Sequence, residues 1–415
     1  MNESTVLKLA VIGAGPVGLS LALHAAMTLV DAEITLFDAR PLAKDVAGDP
    51  RTLALSLGSV HLLQRLGAWR PEVAQPIREV HVSQNAPSLL AAVAPRLAEP
   101  ELTIRAIDEA VPMLGAVLRY GEIVAPLQAA WLEATAQAPK RLASRFGTAV
   151  TALKNLAAPS GGVEVDAGVA ERFDLAVVAE GGVFSTSART ELVAGTRRPA
   201  LRHDYAQTGW VGVAEFVPAA AGTAGIESGV AYERFTRHGP AALLPMRDGR
   251  AGLVWCTDSR DDPVQGLDDA QRVAVLNTIF HPRTPRLASV TPLKAFPLGL
   301  TAERTLADGR TVRIGNAAQT LHPVAGQGLN LGMRDAFELV RSLARSRDVD
   351  AALRRLEWQR APDRWAMIAA TDFLARSFTW SLPGLGTARG LGIAGLQRLG
   401  PVKSAIARQM MFGSR

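Results

Sequence analysis

The feature that most constrains this chain is a glycine-rich stretch near its beginning that fits a βαβ unit. An apolar segment, 7–12, is expected to be a strand and is followed by Gly13-Ala14-Gly15-Pro16-Val17-Gly18. A helix is expected over 19–30, and a second strand over 33–37 ends at Asp38. Glycines at this spacing permit a tight turn, close approach of a pyrophosphate and close helix packing. The unit predicts a dinucleotide site with phosphates at the helix N-terminus and Asp38 accepting from ribose hydroxyls.

The same stretch has a second interpretation, as a signal peptide or membrane span, because residues 9–30 contain no formally charged side chain. Glycine and proline argue against it, since they cost roughly 1 and 3 kcal/mol in a helix interior. Four of them fall where such a helix would need good helix formers. We therefore expect a folded unit rather than an exported or inserted segment.

Two scarce residue types restrict the chemistry. The single cysteine, Cys256, excludes a disulfide framework and a cysteine-based zinc site, and it favours a reducing cytoplasm. The seven histidines show no pair four residues apart and no clustering with carboxylates along the sequence. No metal site is expected.

The net charge of +6 is concentrated at one end of the chain. Residues 373–415 contain no Asp or Glu, and the net formal charge of residues 1–372 is zero. The high isoelectric point therefore does not indicate a nucleic-acid-binding surface. The basic residues of this tail are Arg376, Arg389, Arg398, Lys403, Arg408 and Arg415.

Two middle segments carry further polar candidates. Arg51 precedes an expected helix and could reach phosphates or a ligand edge, although a solvated arginine is an open alternative. Gln128 lies on a helix expected over 124–136. An apolar strand, 173–179, runs into Glu180-Gly181-Gly182, which places a carboxylate at the carboxyl edge of a sheet, where ligands bind.

The richest segment follows an expected strand at 312–314. An irregular stretch with few bulky side chains exposes backbone N–H groups before a helix expected from Met333. Such amides stabilise phosphate or other anions. Its candidate residues are Gly315, Asn316, His322, Pro323, Gly326, Gly328, Leu329 and Asn330.

Four stretches together carry a family resemblance: 11–18, 49–56, 179–182 and 315–332. The chain resembles the class A flavoprotein monooxygenases of the para-hydroxybenzoate hydroxylase fold, and most the ubiquinone-biosynthesis hydroxylases that act on polyprenylated phenols. The segments 204–207, 233–236 and 243–245 also read like that branch. Two departures stand out, because the usual Asp-Gly is Glu180-Gly181 here and the usual Gly-Asp is Gly315-Asn316.

The resemblance implies an α/β fold: a Rossmann-like FAD-binding domain with an inserted β-sheet substrate domain and C-terminal helices. The expected FAD-binding domain is 1–70 with 111–190 and 300–345. The substrate domain is expected at 71–110 with 191–299, and the C-terminal helical region at 346–415.

The implied chemistry is hydroxylation of a polyprenyl phenol with O2, with FAD as resident cofactor and NAD(P)H as transient electron donor. His322 and Pro323 are the catalytic candidates, although His322 could equally be held by backbone for loop structure. Alternatives are an epoxidase or reductase of the same fold, or a non-catalytic scaffold in a biosynthetic complex. The expected FAD-binding residues are Gly13, Ala14, Gly15, Pro16, Val17, Gly18, Asp38, Arg51, Gln128, Glu180, Gly181, Gly315, Asn316, Gly326, Gly328, Leu329 and Asn330.

The basic tail interleaves its cations with apolar side chains, a pattern typical of segments that bind anionic membrane surfaces. Its apolar runs are too short to span a bilayer. The alternative is a pair of helices that cap the FAD-binding domain with their cations solvated. We expect a cytoplasmic protein in peripheral contact with the inner face of the membrane.

Overall fold

The structure is a computed structural model. It describes residues 6–85, 100–157, 161–181, 199–218, 229–346, 348–377, 379 and 385–413, without the side chains of Ala325 and Leu385. Gly182 and Arg415 of the sequence analysis lie outside the described residues.

The helices of the described chain are α1 (Pro16–Thr28), α2 (Leu57–Arg65), α3 (Tyr120–Gln137), α4 (Asp269–Ile279), α5 (Gly328–Arg345), α6 (Val349–Ser377), α7 (Leu385–Arg398) and α8 (Gly400–Phe412). The strands are β1 (Lys8–Ile12), β2 (Glu33–Asp38), β3 (Thr52–Ser56), β4 (Gln75–Ile77), β5 (Glu79–Gln84), β6 (Glu101–Arg105), β7 (Gly115–Arg119), β8 (Leu142–Phe146), β9 (Ala152–Asn155), β10 (Val163–Asp166), β11 (Ala170–Phe173), β12 (Leu175–Val178), β13 (Leu201–Phe216), β14 (Val230–Thr236), β15 (Gly239–Pro245), β16 (Ala251–Asp258), β17 (Leu287–Val290), β18 (Lys294–Ala302), β19 (Ala307–Asp308), β20 (Thr311–Arg313) and β21 (Gln319–Thr320).

A six-stranded, mostly parallel sheet has the order β19-β20-β12-β1-β2-β8. Strand β1 is apolar and buried from Leu9 to Ile12 because both faces of the sheet are covered. On one face α1 packs against α3 and α5. The antiparallel strands β9, β10 and β11 contribute to the apolar cluster on the other face. The carboxyl ends of β1, β12 and β20 consequently lie side by side.

A second, larger sheet is mainly antiparallel, with the order β21-β18-β13-β16-β15-β14-β5-β6 and β17 paired to β13. Helix α4 begins with a capping box formed by Asp268 and Gln271. It covers one face of this sheet through an apolar cluster that includes Trp255 and Leu276. The opposite face contacts α6 and α7. Most of these strands come from the segments predicted for the substrate domain.

Several expected element boundaries were wrong, including that of α3, which begins at Tyr120 rather than at residue 124. Helix α1 begins at Pro16 rather than Leu19, since proline suits the first helical position. Helix α5 begins at Gly328 rather than Met333. The strand expected over 173–179 is split at Asp174 into β11 and β12, which belong to different sheets.

Helices α7 and α8 pack on the body of the protein rather than extending from it. Ile393 and Met411 are buried in a cluster with residues of β6 and α2. Gln397 accepts from the backbone N–H of Thr103 (2.9 Å), and Ser404 donates to Glu109 (2.6 Å). Within the described ranges, no helix combines the length and apolarity needed to cross a membrane.

Candidate functional site

Three of the predicted segments meet at one edge of the parallel sheet. The backbone N–H of Ala179 donates to Ile12 (2.8 Å), and that of Ile314 donates to Val178 (3.0 Å). Asn316 Nδ2 donates to the carbonyl of Gly181 (3.3 Å), and a side chain on Gly181 would collide with Asn316. The first, middle and third segments therefore share a single site, as adjacent parallel strands require.

The glycines of the first segment have separate geometric roles. Gly13 adopts a φ of +105°, and a Cβ there would lie 2.8 Å from Glu180 Cγ. A Cβ on Gly18 would overlap the carbonyl oxygen of Gly13, so this glycine lets α1 approach the turn. Gly15 differs, because a Cβ there would meet only the Tyr120 hydroxyl, at 3.6 Å. The space in front of Gly15 is open to a ligand.

The N-terminus of α1 faces this open space without a protein cap. Gly15 is the N-cap residue and provides no side chain, while Pro16 and Val17 open the helix. Its first N–H groups therefore suit the phosphates of a dinucleotide. The open space at Gly15 and the uncapped N–H groups of α1 fit a bound pyrophosphate.

Asp38 shapes the glycine-rich turn. Its Oδ2 accepts from the backbone N–H of Ala14 (2.5 Å), and its Oδ1 accepts from that of Arg40 (2.7 Å). A carboxylate retains further lone pairs after two such bonds, so the expected ribose contact stays a prediction. The neighbouring Glu180 is half-buried, and burial raises the pKa of its carboxyl with a smaller contribution from the Asp38 charge.

Two residues near Gly15 were missed by the sequence analysis. Tyr120 begins α3, and the Arg51 guanidinium lies 4.0 Å from the centre of its ring. Arg40 follows β2 and donates to Gln128 Oε1 (2.8 Å). Tyr120 directly follows β7 and Arg40 lies two residues after β2, so a place just beyond a strand end was the available signal.

Arg51 and Gln128 contact protein groups in this structure. Arg51 binds Asp49 at 2.7 Å, which lowers the pKa of that carboxyl. The Gln128 side chain accepts a hydrogen bond from Arg40 rather than facing the glycine-rich turn without a partner. Their expected contacts with the cofactor stay predictions, and Gln128 would act through Arg40.

The Asn330 side chain bonds within the protein, and the expected contact of this residue with the cofactor stays a prediction. Its Oδ1 accepts from the Ser56 N–H and the Ser59 hydroxyl, both at 2.8 Å, and its Nδ2 donates to the carbonyls of Ala54 and Gly326, both at 3.1 Å. These four bonds use the hydrogen-bonding capacity of the amide. Asn330 ties the third segment to β3.

The remaining residues of the third segment differ in accessibility. A Cβ on Gly328 would find only Asn316 Oδ1, at 3.9 Å, so the backbone at the start of α5 is open. Gly326 adopts a φ of +58°. Leu329 packs against the main apolar core. The open amides of this segment fit the anionic part of a ligand better than its side chains do.

His322 lies inside the loop with both ring nitrogens bonded. Its Nδ1 accepts from the Val324 N–H (3.2 Å), so the neutral ring donates from Nε2 to Gln207 Oε1 (2.9 Å). Burial lowers the pKa of His322 to about 4. The ring is therefore neutral near pH 7 and its two hydrogen bonds hold the loop, as the structural alternative expects. A catalytic role for His322 stays a prediction. Pro323 is half-buried and precedes a 3-10 turn at Val324–Gly326.

Two histidines and a glutamate that are distant in the sequence cluster in the structure. Glu101 accepts from His81 (2.7 Å) and Arg283 (3.1 Å), and His281 lies 3.3 Å from it. The three possible ligand atoms of His81, Glu101 and His281 lie within 4.8 Å of one another. A guanidinium already neutralises this carboxylate, and the absence of a metal stays a prediction.

A second Gly-x-Gly-x-x-Gly pattern occurs at 390–395. It lies inside α7, with no strand directly before it in the described chain. Without a strand-to-helix turn the pattern has no geometry for a pyrophosphate. The first segment is therefore the dinucleotide turn.

Comparison with known proteins agrees with this geometry. Residues 176–371 match the family described as FAD binding domain. Across nearly the whole chain the fold matches HpxO of Klebsiella pneumoniae, solved with FAD and uric acid (TM-score 0.69, 18% identity, 97% and 96% of the two chains). It also matches p-nitrophenol 4-monooxygenase PnpA of Pseudomonas putida DLL-E4 (TM-score 0.71, 14% identity, 99% of each chain).

The fold and the site thus define a FAD-binding flavoprotein with the fold of the class A FAD-dependent monooxygenases, which confirms the resemblance, the α/β fold and the FAD prediction. Among curated proteins the chain is similar to ubiquinone hydroxylase UbiL of Rhodospirillum rubrum (36% identity, 44% of each chain). It is also similar to 3-demethoxyubiquinol 3-hydroxylase of Escherichia coli (35% identity, 41% of this chain and 46% of that protein). The chain spans about half the length of the curated relatives it matches.

Proposed function

We propose that this protein is a FAD-dependent aromatic hydroxylase that uses NAD(P)H and O2 to hydroxylate a polyprenylated phenol in ubiquinone biosynthesis. The observation that carries the proposal is the meeting of three segments around Gly15, in a chain whose fold is that of the FAD-dependent monooxygenases. The names of the curated relatives support the substrate class.

The chain's own residues would bind FAD, orient the reactants and shield the reacting ring from water. Bound FAD supplies electron transfer and oxygen activation. The open backbone at Gly15 and the N-terminus of α1 would hold its phosphates, and the open amides near Gly328 would stabilise negative charge. The apolar cluster formed by β14, α7 and Val324 would exclude water from the reacting ring.

A turnover experiment tests the reaction. Purified protein loaded with FAD is mixed with NADH or NADPH and a short-chain 2-prenylphenol under labelled oxygen. We expect the phenol to accelerate nicotinamide oxidation and the product to carry one labelled oxygen atom by mass spectrometry. If the phenol left the rate of nicotinamide oxidation unchanged and no labelled product formed, the result would instead support a non-catalytic scaffold.

We also propose that α7 and α8 place the protein on the cytoplasmic face of an anionic membrane, where a polyprenyl phenol resides. Apolar side chains on and between these helices remain exposed, including Leu391 (53%), Leu399 (55%) and Val402 (45%). Exposed Arg398 and Arg408 lie on the same two helices. Apolar and basic groups together favour an anionic lipid surface.

Glutamate at both Leu399 and Val402 is expected to lower binding to vesicles containing phosphatidylglycerol by about tenfold, because two exposed apolar groups are lost and two negative charges are added. Co-sedimentation at low and high salt measures the bound fraction. Leu42→Glu is the matched control, since Leu42 is similarly exposed (46%) in a distant loop. If the Leu399/Val402 double variant bound vesicles as well as Leu42→Glu does, the membrane proposal would be contradicted.

A further inference from the structure

Strand β14 divides its side chains between the two faces of the large sheet. Tyr232 packs in the cluster that contains Leu276 of α4, and Arg234 Nε donates to the carbonyl of Ile279 (2.9 Å). Successive side chains on a strand point to opposite faces. Ala231, Glu233 and Phe235 therefore lie on the face away from α4.

That second face is turned towards the FAD-binding segments. Ala231 and Phe235 belong to one apolar cluster with Val324 of the third segment and Ile393 of α7. A Cβ on Gly252 of the neighbouring β16 would lie 2.9 Å from Thr52 of β3, so β3 also packs on this face. The Glu233 carboxyl thus lies between the large sheet and the loop that precedes α5.

Glu233 has no counter-charge among the residues that the structure describes. Its Oε1 is buried and has no hydrogen-bond partner there. Burial raises the pKa of this carboxyl to about 8, and Glu233 in turn contributes to raising the pKa of the Cys256 thiol. Buried polar groups are normally paired, and an unpaired buried carboxyl with a shifted pKa is a candidate functional group.

We propose that Glu233 binds the hydroxyl group of the phenol and accepts its proton as the ring is hydroxylated. This inference rests on the proposed function. The phenolic O–H bond breaks, a new O–H bond forms on the Glu233 carboxylate, and the electron pair remains on the phenolic oxygen, which enriches the ring in electrons. The step moves one proton and needs no additional redox partner.

The environment of Glu233 suits this proton transfer. A phenol has a pKa near 10, so an ordinary glutamate near 4.3 is a weak base towards it. A carboxyl that titrates near 8 is much closer to the phenol, which favours general-base action. Cys256 stays neutral over this range because burial holds the pKa of its thiol well above the usual value.

Binding of two matched probes tests the inference. Calorimetric titration of the FAD-loaded protein compares 2-methylphenol with its methyl ether, 2-methylanisole, which lacks the hydroxyl. Glu233→Leu is expected to weaken phenol binding about tenfold or more and to leave ether binding unchanged or improved. Glu215→Gln, an exposed site on the same sheet, is the control. FAD content and thermal unfolding verify that each variant is folded.

The pH dependence separates proton acceptance from binding alone. In the wild-type protein the rate of hydroxylation is expected to rise with pH around a midpoint near 8, because the ionised carboxylate is the base. Glu233→Gln keeps the hydrogen-bonding shape, and its rate is expected to lose this rise.

Three results would overturn the inference: equal weakening of both probes in Glu233→Leu, no phenol preference in the wild-type protein, or an unchanged pH profile in Glu233→Gln. Loss of phenol preference in Glu233→Leu, combined with no labelled product from the wild-type protein, would support phenol binding by Glu233. That same result would reject both hydroxylation and proton acceptance during it.

Discussion

Replacing Gly15 with leucine is expected to weaken FAD binding about 100-fold or more, equivalent to about 3 kcal/mol, while the fold remains intact. The backbone at Gly15 is extended, with φ at −79°, so leucine is sterically allowed there. Its side chain would fill the space in front of the α1 N-terminus. The nearest atom to a Cβ built on Gly15 is the Tyr120 hydroxyl oxygen, at 3.6 Å. The ratio of flavin to protein absorbance after purification measures the loss, and circular dichroism reports the fold.

Gly266→Leu is the matched control for this substitution. Gly266 is exposed, has no restricted φ and has no atom near its hypothetical Cβ. This control should retain wild-type FAD content. Normal flavin content in Gly15→Leu would show that the phosphates bind elsewhere.

Asp335→Ala is expected to lower the free energy of unfolding by about 3 kcal/mol, because it removes one of the two carboxylates that bind the buried Arg360. Asp335 is fully buried. Its carboxylate accepts hydrogen bonds from Arg360 Nε (2.8 Å) and from Gln319 Nε2 (3.0 Å). Asp363 accepts from the same Arg360 (2.6 Å), while Arg334 and Arg364 lie in the same network. Urea denaturation measures the change.

Glu33→Ala provides the comparison for a surface pair. Glu33 lies 3.4 Å from Lys8, and both side chains are about half exposed. Solvent screens such a pair, so its loss should cost at most about 1 kcal/mol. Similar losses for Asp335→Ala and Glu33→Ala would show that the buried network does not hold α5 and α6 together.

The convergence of the FAD-binding segments could be predicted because it follows from local pattern and one topological rule. Apolar strands that end in glycine or acid residues recur at Gly13, Glu180 and Gly315. Parallel strands with buried faces bring such ends to one edge of the sheet. The order β20-β12-β1 places all three at that edge.

Individual side-chain roles could not be predicted, since their partners are distant in sequence. Asn330 bonds to β3 across 274 residues, and His322 bonds to Gln207 across 115. Asn330 was predicted to bind the cofactor, and His322 either to act in catalysis or to hold the loop. A polar residue beside glycines gives no sign of a distant partner. Glu233 was noticed only as part of a family-like segment, and its unpaired carboxyl becomes visible only when both faces of β14 are covered.

The sequence by itself determined the dinucleotide turn and the edge of the sheet where a ligand binds. These depend on strand periodicity and glycine spacing, which are local properties of the chain. The class of flavoprotein was indicated by the family resemblance of four segments. Only the tertiary structure decided which polar groups are paired by the protein and which remain available. Pairing depends on desolvation and on contacts between distant segments: Asn330 and His322 are bonded within the protein, whereas Gly15 is open and the buried Glu233 carboxyl has an unpaired oxygen.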